Sequence, residues 1–157
     1  MIVTLGYLAQ VSTYPFQLVL ACGCFDVFTI GHVRHLQAAK RLGLQLAVLV
    51  TADRNVNKPG RPLFPEGLRA EVVDSLRCVD YTIVNPYPTA VPAILQLSPS
   101  VYVKGREYRE QLSLALEAET EAIQSVGGRI EFTETLEMHT TDVLGKFGVR
   151  PVQEILS

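Results

Sequence analysis

The chain has no tryptophan, two methionines and only three cysteines in 157 residues. An odd, small set of cysteines, Cys22, Cys24 and Cys78, argues against a disulfide framework. The Cys22-x-Cys24 pair has no second pair with which to complete a zinc tetrad, so it reads as two small residues packed at a sheet edge, and no metal ligands are expected. Charge is also scarce. Charged residues make up 19% of the chain and the formal net charge is −2. No global field favours nucleic acid or an anionic membrane, and neither is expected as a partner. Phosphate binding, if present, must come from a local cluster. No apolar run approaches the roughly 20 residues needed to span a bilayer. The start, Met1-Ile2-Val3-Thr4-Leu5, lacks a basic segment and a small-residue cleavage site. A reducing cytoplasm is the expected compartment. There is no internal repeat.

What is present is a hydrophobic content of 48%, enough to bury a core without staples. One domain over residues 1–157 is expected. Apolar stretches alternate with helical ones. Phe16–Ala21 reads as a buried strand, followed by a helix from Val33 to Leu42 with Gly43 as its C-cap. Leu44–Thr51 is a second strand. Ala52–Pro65 is polar, basic and rich in turn residues, a long loop of the kind that carries function. Glu66–Arg77 is helical, Tyr81–Val84 a strand, and Thr89 caps a helix holding Val91, Ile94, Leu95 and Leu97. Val101–Lys104 is a strand. A long helix from about Arg109 to Val126 ends at Gly127-Gly128. Arg129–Phe132 is the last clear strand, Thr140 and Thr141 precede a final helical region, and Val3–Gln10 forms a short helix at the start. Strands separated by helices predict an α/β fold: a doubly wound, Rossmann-like, mainly parallel five-stranded sheet with helices on both faces. Ligands then bind beyond the carboxyl ends of the strands.

The run from Cys22 to His32, Cys-Gly-Cys-Phe-Asp-Val-Phe-Thr-Ile-Gly-His, joins the first strand to its helix. A glycine-bearing turn at that place presents backbone N–H groups and the positive end of a helix dipole to an anion. A histidine in the first helical turn adds a donor to a phosphoryl oxygen. The alternative is an ordinary strand–helix turn with a surface histidine.

The spelling Gly23-Cys24-Phe25-Asp26 followed by Thr29-Ile30-Gly31-His32 resembles the signature of the cytidylyltransferase-like nucleotidyltransferases. Asn57–Pro62, Arg69–Val73, Leu76–Tyr81, Val103-Lys104-Gly105, Gly127-Gly128 and Met138–Thr141 are similar to one branch of them. That branch is the heptose 1-phosphate adenylyltransferase domain of the bacterial ADP-heptose synthesis enzyme. The resemblance implies transfer of AMP from ATP onto a sugar 1-phosphate, with loss of pyrophosphate. Glycerol-3-phosphate cytidylyltransferases share the architecture, so cytidylyl transfer to an alditol phosphate is the enzymatic alternative. A nucleotide-binding module without turnover is the other.

By this resemblance His32, Thr29 and Lys58 form the catalytic set. Gly23, Cys24, Phe25, Asp26, Gly31, His32, Lys104, Gly105, Thr140 and Thr141 bind the nucleotide. Arg61 and Arg69 bind the acceptor. The partners implied are ATP or CTP, a phosphorylated small molecule and a second copy of the chain, and the cofactor is Mg²⁺ carried by the nucleotide. Plain alternatives stand beside these roles. Lys58 and Arg61 are solvated loop charges, Arg69 pairs with Glu66 or Glu71, Lys104 snorkels, Thr140 only caps a helix, and Asp26 bonds its own turn. His35 reads as a residue behind the site or at the surface. Thr29 in place of a more usual histidine, Arg106-Glu107-Tyr108, and Asp142 depart from the branch and favour the non-catalytic alternative.

Overall fold

The structure, a computed structural model, describes residues 1–11, 17–110, 113–134 and 145–147. Its elements in order are α1 (Leu5–Val11), β1 (Leu18–Gly23), α2 (Ile30–Lys40), β2 (Gln45–Thr51), α3 (Glu66–Asp74), β3 (Tyr81–Asn85), α4 (Val91–Leu97), β4 (Val101–Gly105), α5 (Leu114–Ser125) and β5 (Arg129–Thr133). The strands form one sheet in the order β3-β2-β1-β4-β5, with every neighbouring pair parallel. The α/β, doubly wound, Rossmann-like architecture expected from the alternation is what the chain adopts.

Both faces of the sheet are covered, which is why the central strands read as continuous apolar runs. Alternate residues of each strand feed two cores. Leu18, Leu20, Ala47, Leu49, Ile83 and Tyr102 pack with α1, α4 and α5. Val19, Ala21, Leu46, Val48, Val50, Val101 and Val103 pack against Leu36 and Ala39 of α2 and Ala70 and Val73 of α3.

The register locates the crevice. β1 pairs with β2 at six positions, from Leu18 to Gly23. It pairs with β4 only from Val19 to Ala21, although both strands run on for two further residues. The ladder therefore stops between Cys22-Gly23 and Lys104-Gly105, at the point where the strand order reverses. That is the ligand position of such sheets.

Several boundaries differ from the expectations above. The long helix starts at Leu114, not Arg109. Ser113 caps it, its Oγ accepting from Leu116 N–H at 3.2 Å, and a one-turn 3₁₀ helix, Arg106–Tyr108, follows β4 instead. Helix α2 is capped by Arg41 rather than Gly43. Gly43 is required for closeness, since a Cβ there would lie 2.6 Å from the Gln17 carbonyl. Gly127 does close α5, at a φ of +80°. The segment after β2 is not a plain loop. It opens with a 3₁₀ turn, Asp53–Asn55, tied by Arg54 and Asn55 side chains to the Pro86 carbonyl. Phe16 and the region of Thr140, Thr141 and Asp142 lie outside the described residues.

Candidate active site at the β1–β4 crevice

The turn after β1 is built around Phe25. Its φ of +51° is in the left-handed region, rare for a bulky residue. This reversal folds the ring back over Gly23, where a Cβ would sit 2.9 Å from the ring carbon Cζ. Glycine at position 23 is therefore a packing requirement. The Phe25 ring meets His32 edge-on at 5.5 Å between centroids, and Phe28 lies 5.2 Å from the same imidazole. Two aromatic rings thus fix the plane of His32.

Thr29 is the N-cap of α2 and His32 is its third residue. The pair forms a capping box in which histidine takes the place of the usual Glu or Gln. Thr29 N–H donates to His32 Nδ1 at 3.0 Å. An accepting Nδ1 leaves the ring proton on Nε2. The Thr-x-Gly-His spacing thus sets a helix start and a histidine tautomer together. Ile30 and Gly31 N–H, in the first turn, have no helical acceptor and lie at the positive end of the dipole.

Asp26 and Arg69 carry the loops. Asp26 is 5% exposed and accepts from Leu63 N–H at 2.9 Å, from Phe64 N–H at 3.0 Å and from Arg61 Nε. Burial alone works against its ionisation, but these donors outweigh it and hold the carboxyl below its ordinary value. Asp26 is thus the anchor of the 61–64 segment rather than a residue bonding its own turn. Arg61 is half-buried against it.

The acceptor contact expected of Arg69 is corrected by its surroundings. Its side chain is 1% exposed, and its donors are taken inside the protein. Nε donates to the Phe64 carbonyl at 2.9 Å, one Nη to the Cys24 carbonyl, and the other to the Thr51 carbonyl at 2.8 Å and Asp53 at 2.6 Å. Glu66 instead accepts from Asp53 N–H at 2.7 Å. Arg69 ties the ends of β1 and β2 to the loop and shapes the floor of the site without reaching into it. Asp53 as its partner carried no signal in sequence, being 16 residues away across a loop.

On the other bank of the crevice, Lys104 is largely buried. Its Nζ lies 3.1 Å from Glu119 and 4.7 Å from the centre of the Tyr108 ring. Burial disfavours the ammonium, but Glu119 more than offsets it and raises the pKa. Glu119 is 4% exposed and also accepts from Ala90 N–H at 3.1 Å. Lys104 is therefore an ion-paired residue with its stem inside, not a snorkelling one. Cys22 faces the same cluster, and burial pushes its thiol up to about 11. A Cβ on Gly105 would collide with the Glu107 carboxylate. Burial also raises the Cys24 thiol, with Arg69 acting against it, Asp26 with it, and Lys58 and Arg61 against it. Lys58 is exposed and makes no ion pair among the described residues.

The arrangement brings Gly23, Cys24, Phe25, Asp26, Thr29, Gly31, His32, Lys58, Arg61, Lys104 and Gly105 to one edge of the sheet. It is a helix N-terminus with an oriented imidazole, flanked by basic side chains. A family model described as cytidylyltransferase-like matches residues 20–146. The chain belongs to the cytidylyltransferase-like family. Its members are nucleotidyltransferases. "Bifunctional protein HldE" of Syntrophotalea carbinolica is 33% identical over 127 residues, 79% of this chain and 25% of that protein. The protein of the same name from Gluconobacter oxydans is 34% identical over 128 residues, covering 80% and 26%. The chain thus spans about a quarter of the length of these curated relatives. Among solved structures, the lipopolysaccharide core biosynthesis protein of Thermoplasma volcanium superposes with a TM-score of 0.61 at 27% identity, over 78% of this chain and 98% of that one. A protein of unknown function from Archaeoglobus fulgidus, at 23% identity and a TM-score of 0.52 over 74% of this chain and 88% of that one, shares the fold. Among the described residues no helix is long and apolar enough to cross a membrane.

Proposed function

We propose that the chain transfers AMP from ATP onto a sugar 1-phosphate, of which heptose 1-phosphate is the leading candidate, and releases pyrophosphate. The observation that carries this reading is His32 in the first turn of an 11-residue helix, its Nδ1 accepting from Thr29 N–H so that the ring proton sits on Nε2. The resemblance to the ADP-heptose branch and the likeness to a lipopolysaccharide core biosynthesis protein support a sugar phosphate as acceptor.

A phosphate oxygen of the acceptor attacks the α-phosphorus. A new P–O bond forms, the bond to the β-phosphate bridging oxygen breaks, and its electron pair leaves with pyrophosphate. The attacking oxygen is already anionic, so no general base is required. The chain's task is to align two anions and neutralise the charge between them. His32 Nε2–H and the first-turn N–H groups serve the nucleotide phosphates, while Lys58 and Arg61 serve the triphosphate or the acceptor phosphate. Mg²⁺ in this reading rides on the triphosphate, held by phosphate oxygens and water, and supplies charge neutralisation. Lys104, Gly105, Thr140 and Thr141 complete the nucleotide side, and a homodimer is the proposed assembly.

The test is a pyrophosphate-release screen of the four nucleoside triphosphates against sugar 1-phosphates and alditol phosphates. Release with ATP and a sugar 1-phosphate supports the reading. Release only with CTP and glycerol 3-phosphate selects cytidylyl transfer, and nucleotide binding without release selects the non-catalytic module.

A further inference from the structure

His35 has no part in the transfer step above, yet its side chain joins two elements that bracket the crevice. It lies one turn beyond His32 on α2. Its Nδ1 is 2.7 Å from the hydroxyl of Thr133, the last residue of β5 and 98 positions away. Thr133 is 5% exposed, and its Oγ1 donates in turn to the Lys104 carbonyl at 3.4 Å. A threonine hydroxyl has one proton. Both contacts are hydrogen bonds at once only when that proton goes to the carbonyl, and the 2.7 Å bond is then donated by His35 Nδ1–H. His35 is then the opposite tautomer to His32. Its electrostatics agree. Burial first, then the nearby His32 and Lys104, lower its pKa to about 4, so the ring is neutral.

The place of this bridge gives it a consequence. Backbone pairing between β1 and β4 ends at Ala21 and Val103. Beyond that point the bank carrying α2 and His32 and the bank carrying Lys104 are no longer held by a ladder. The His35–Thr133–Lys104 chain crosses that gap. Thr133 also leads directly into the segment holding Thr140 and Thr141.

We propose that His35 is a positioning residue: as the neutral Nδ1–H tautomer bonded to Thr133, it locks the first turns of α2, and with them His32, to the C-terminal ends of β4 and β5. Its kinetic consequence rests on the transfer reading above; its tautomer does not. Displacement of a reacting group by about 1 Å costs on the order of 10²-fold, so loosening this lock is read in kcat.

The test uses two matched pairs of variants. His35→Asn places an amide nitrogen where Nδ1 is, whereas His35→Gln places it where Nε2 is. Thr133→Ser keeps the hydroxyl and Thr133→Val removes it. His35→Gln and Thr133→Val are expected to lower kcat for pyrophosphate release by roughly 10- to 100-fold, with KM for the nucleotide changing less. His35→Asn and Thr133→Ser are expected to stay within about threefold of the unchanged chain, and the Gln/Val double variant to be no worse than either alone. Equal kcat for the Asn and Gln variants, with only thermal stability altered, overturns the proposal and leaves His35 a packing residue. Nitrogen-15 spectra of the imidazoles in the unliganded chain read the tautomers without turnover. His35 protonated at Nδ1 and His32 at Nε2 is expected, and His35 protonated at Nε2 overturns the proposal in an active enzyme. The expected tautomers in a chain that releases no pyrophosphate with any acceptor defeat the transfer reading, and the positioning role with it.

Discussion

At the residue scale, the decisive atom is His32 Nε2. Because Nδ1 is committed to Thr29 N–H at 3.0 Å, the proposed transfer would have the ring meet a phosphoryl oxygen as a donor with no tautomeric search. Charge grows on the leaving pyrophosphate in the transition state, so this donor contributes more there than to ground-state binding. Replacing His32 with Ala should lower kcat by on the order of 10²–10³-fold with little change in nucleotide affinity, as for loss of one preorganised donor. Steady-state kinetics beside equilibrium nucleotide titration checks this, and near-normal turnover would sink the site. Thr29→Ala should cost less in rate, with about 1 kcal/mol of stability from the lost cap. Arg69 and Lys58 should separate stability from activity. Arg69→Met takes the guanidinium donors from the Cys24 and Thr51 carbonyls and from Asp53 and should destabilise the chain by about 2 kcal/mol in urea unfolding. Lys58→Ala removes an exposed cation that makes no ion pair among the described residues and should leave stability within roughly 0.5 kcal/mol while weakening turnover.

At the element scale, the 61–64 segment is held by Asp26 through two backbone N–H groups and Arg61. Asp26→Asn keeps the shape but removes the charge, so at least the Arg61 contact weakens. Charge-assisted bonds are roughly twice as strong as neutral ones. The variant should raise KM for the triphosphate or the acceptor more than it lowers kcat, because the loop carries Lys58 and Arg61 rather than His32. A change confined to kcat would place this loop outside substrate binding.

At the scale of the whole molecule, two groups give stability an acid limit of known sign. His35 has a folded pKa near 4, below its unfolded value of about 6.5, so between those values the unfolded chain binds the extra proton. Stability should fall as pH drops through that window, by up to about 1.4 kcal/mol per pH unit. Asp26, with its folded value lowered, stabilises fully above the ordinary carboxylate range and loses that contribution as pH falls through its folded value. Urea unfolding from pH 7 to pH 3 should therefore show two successive losses. The first should vanish in His35→Asn and the second should shrink in Asp26→Asn. A flat profile above pH 4 would contradict the buried, neutral His35.

Local chemistry alone determined the alternation of strand and helix, the parallel sheet and the glycine turn, whereas the helix read from Val33 begins three residues earlier, at Ile30, with Thr29 as its cap. Each of the former follows from apolar periodicity or turn residues written within about ten consecutive positions. That the 22–32 run, Lys104 and Gly105 lie at the carboxyl ends of their strands was also readable, because an α/β sheet carries its strand ends to one edge; their roles came from the resemblance alone. Tertiary structure decided the rest. Whether Arg69 faces substrate or the interior depends on where the Cys24, Thr51 and Phe64 carbonyls lie, and those come from three separate segments. Whether Lys104 stands free depends on Glu119, which α5 delivers from across the sheet. His35 could be seen in sequence one turn after His32, but Thr133 could not be seen as its partner. A side-chain bond between residues 98 apart leaves no local pattern, and only the strand order that sets β5 beside β4 brings the two together.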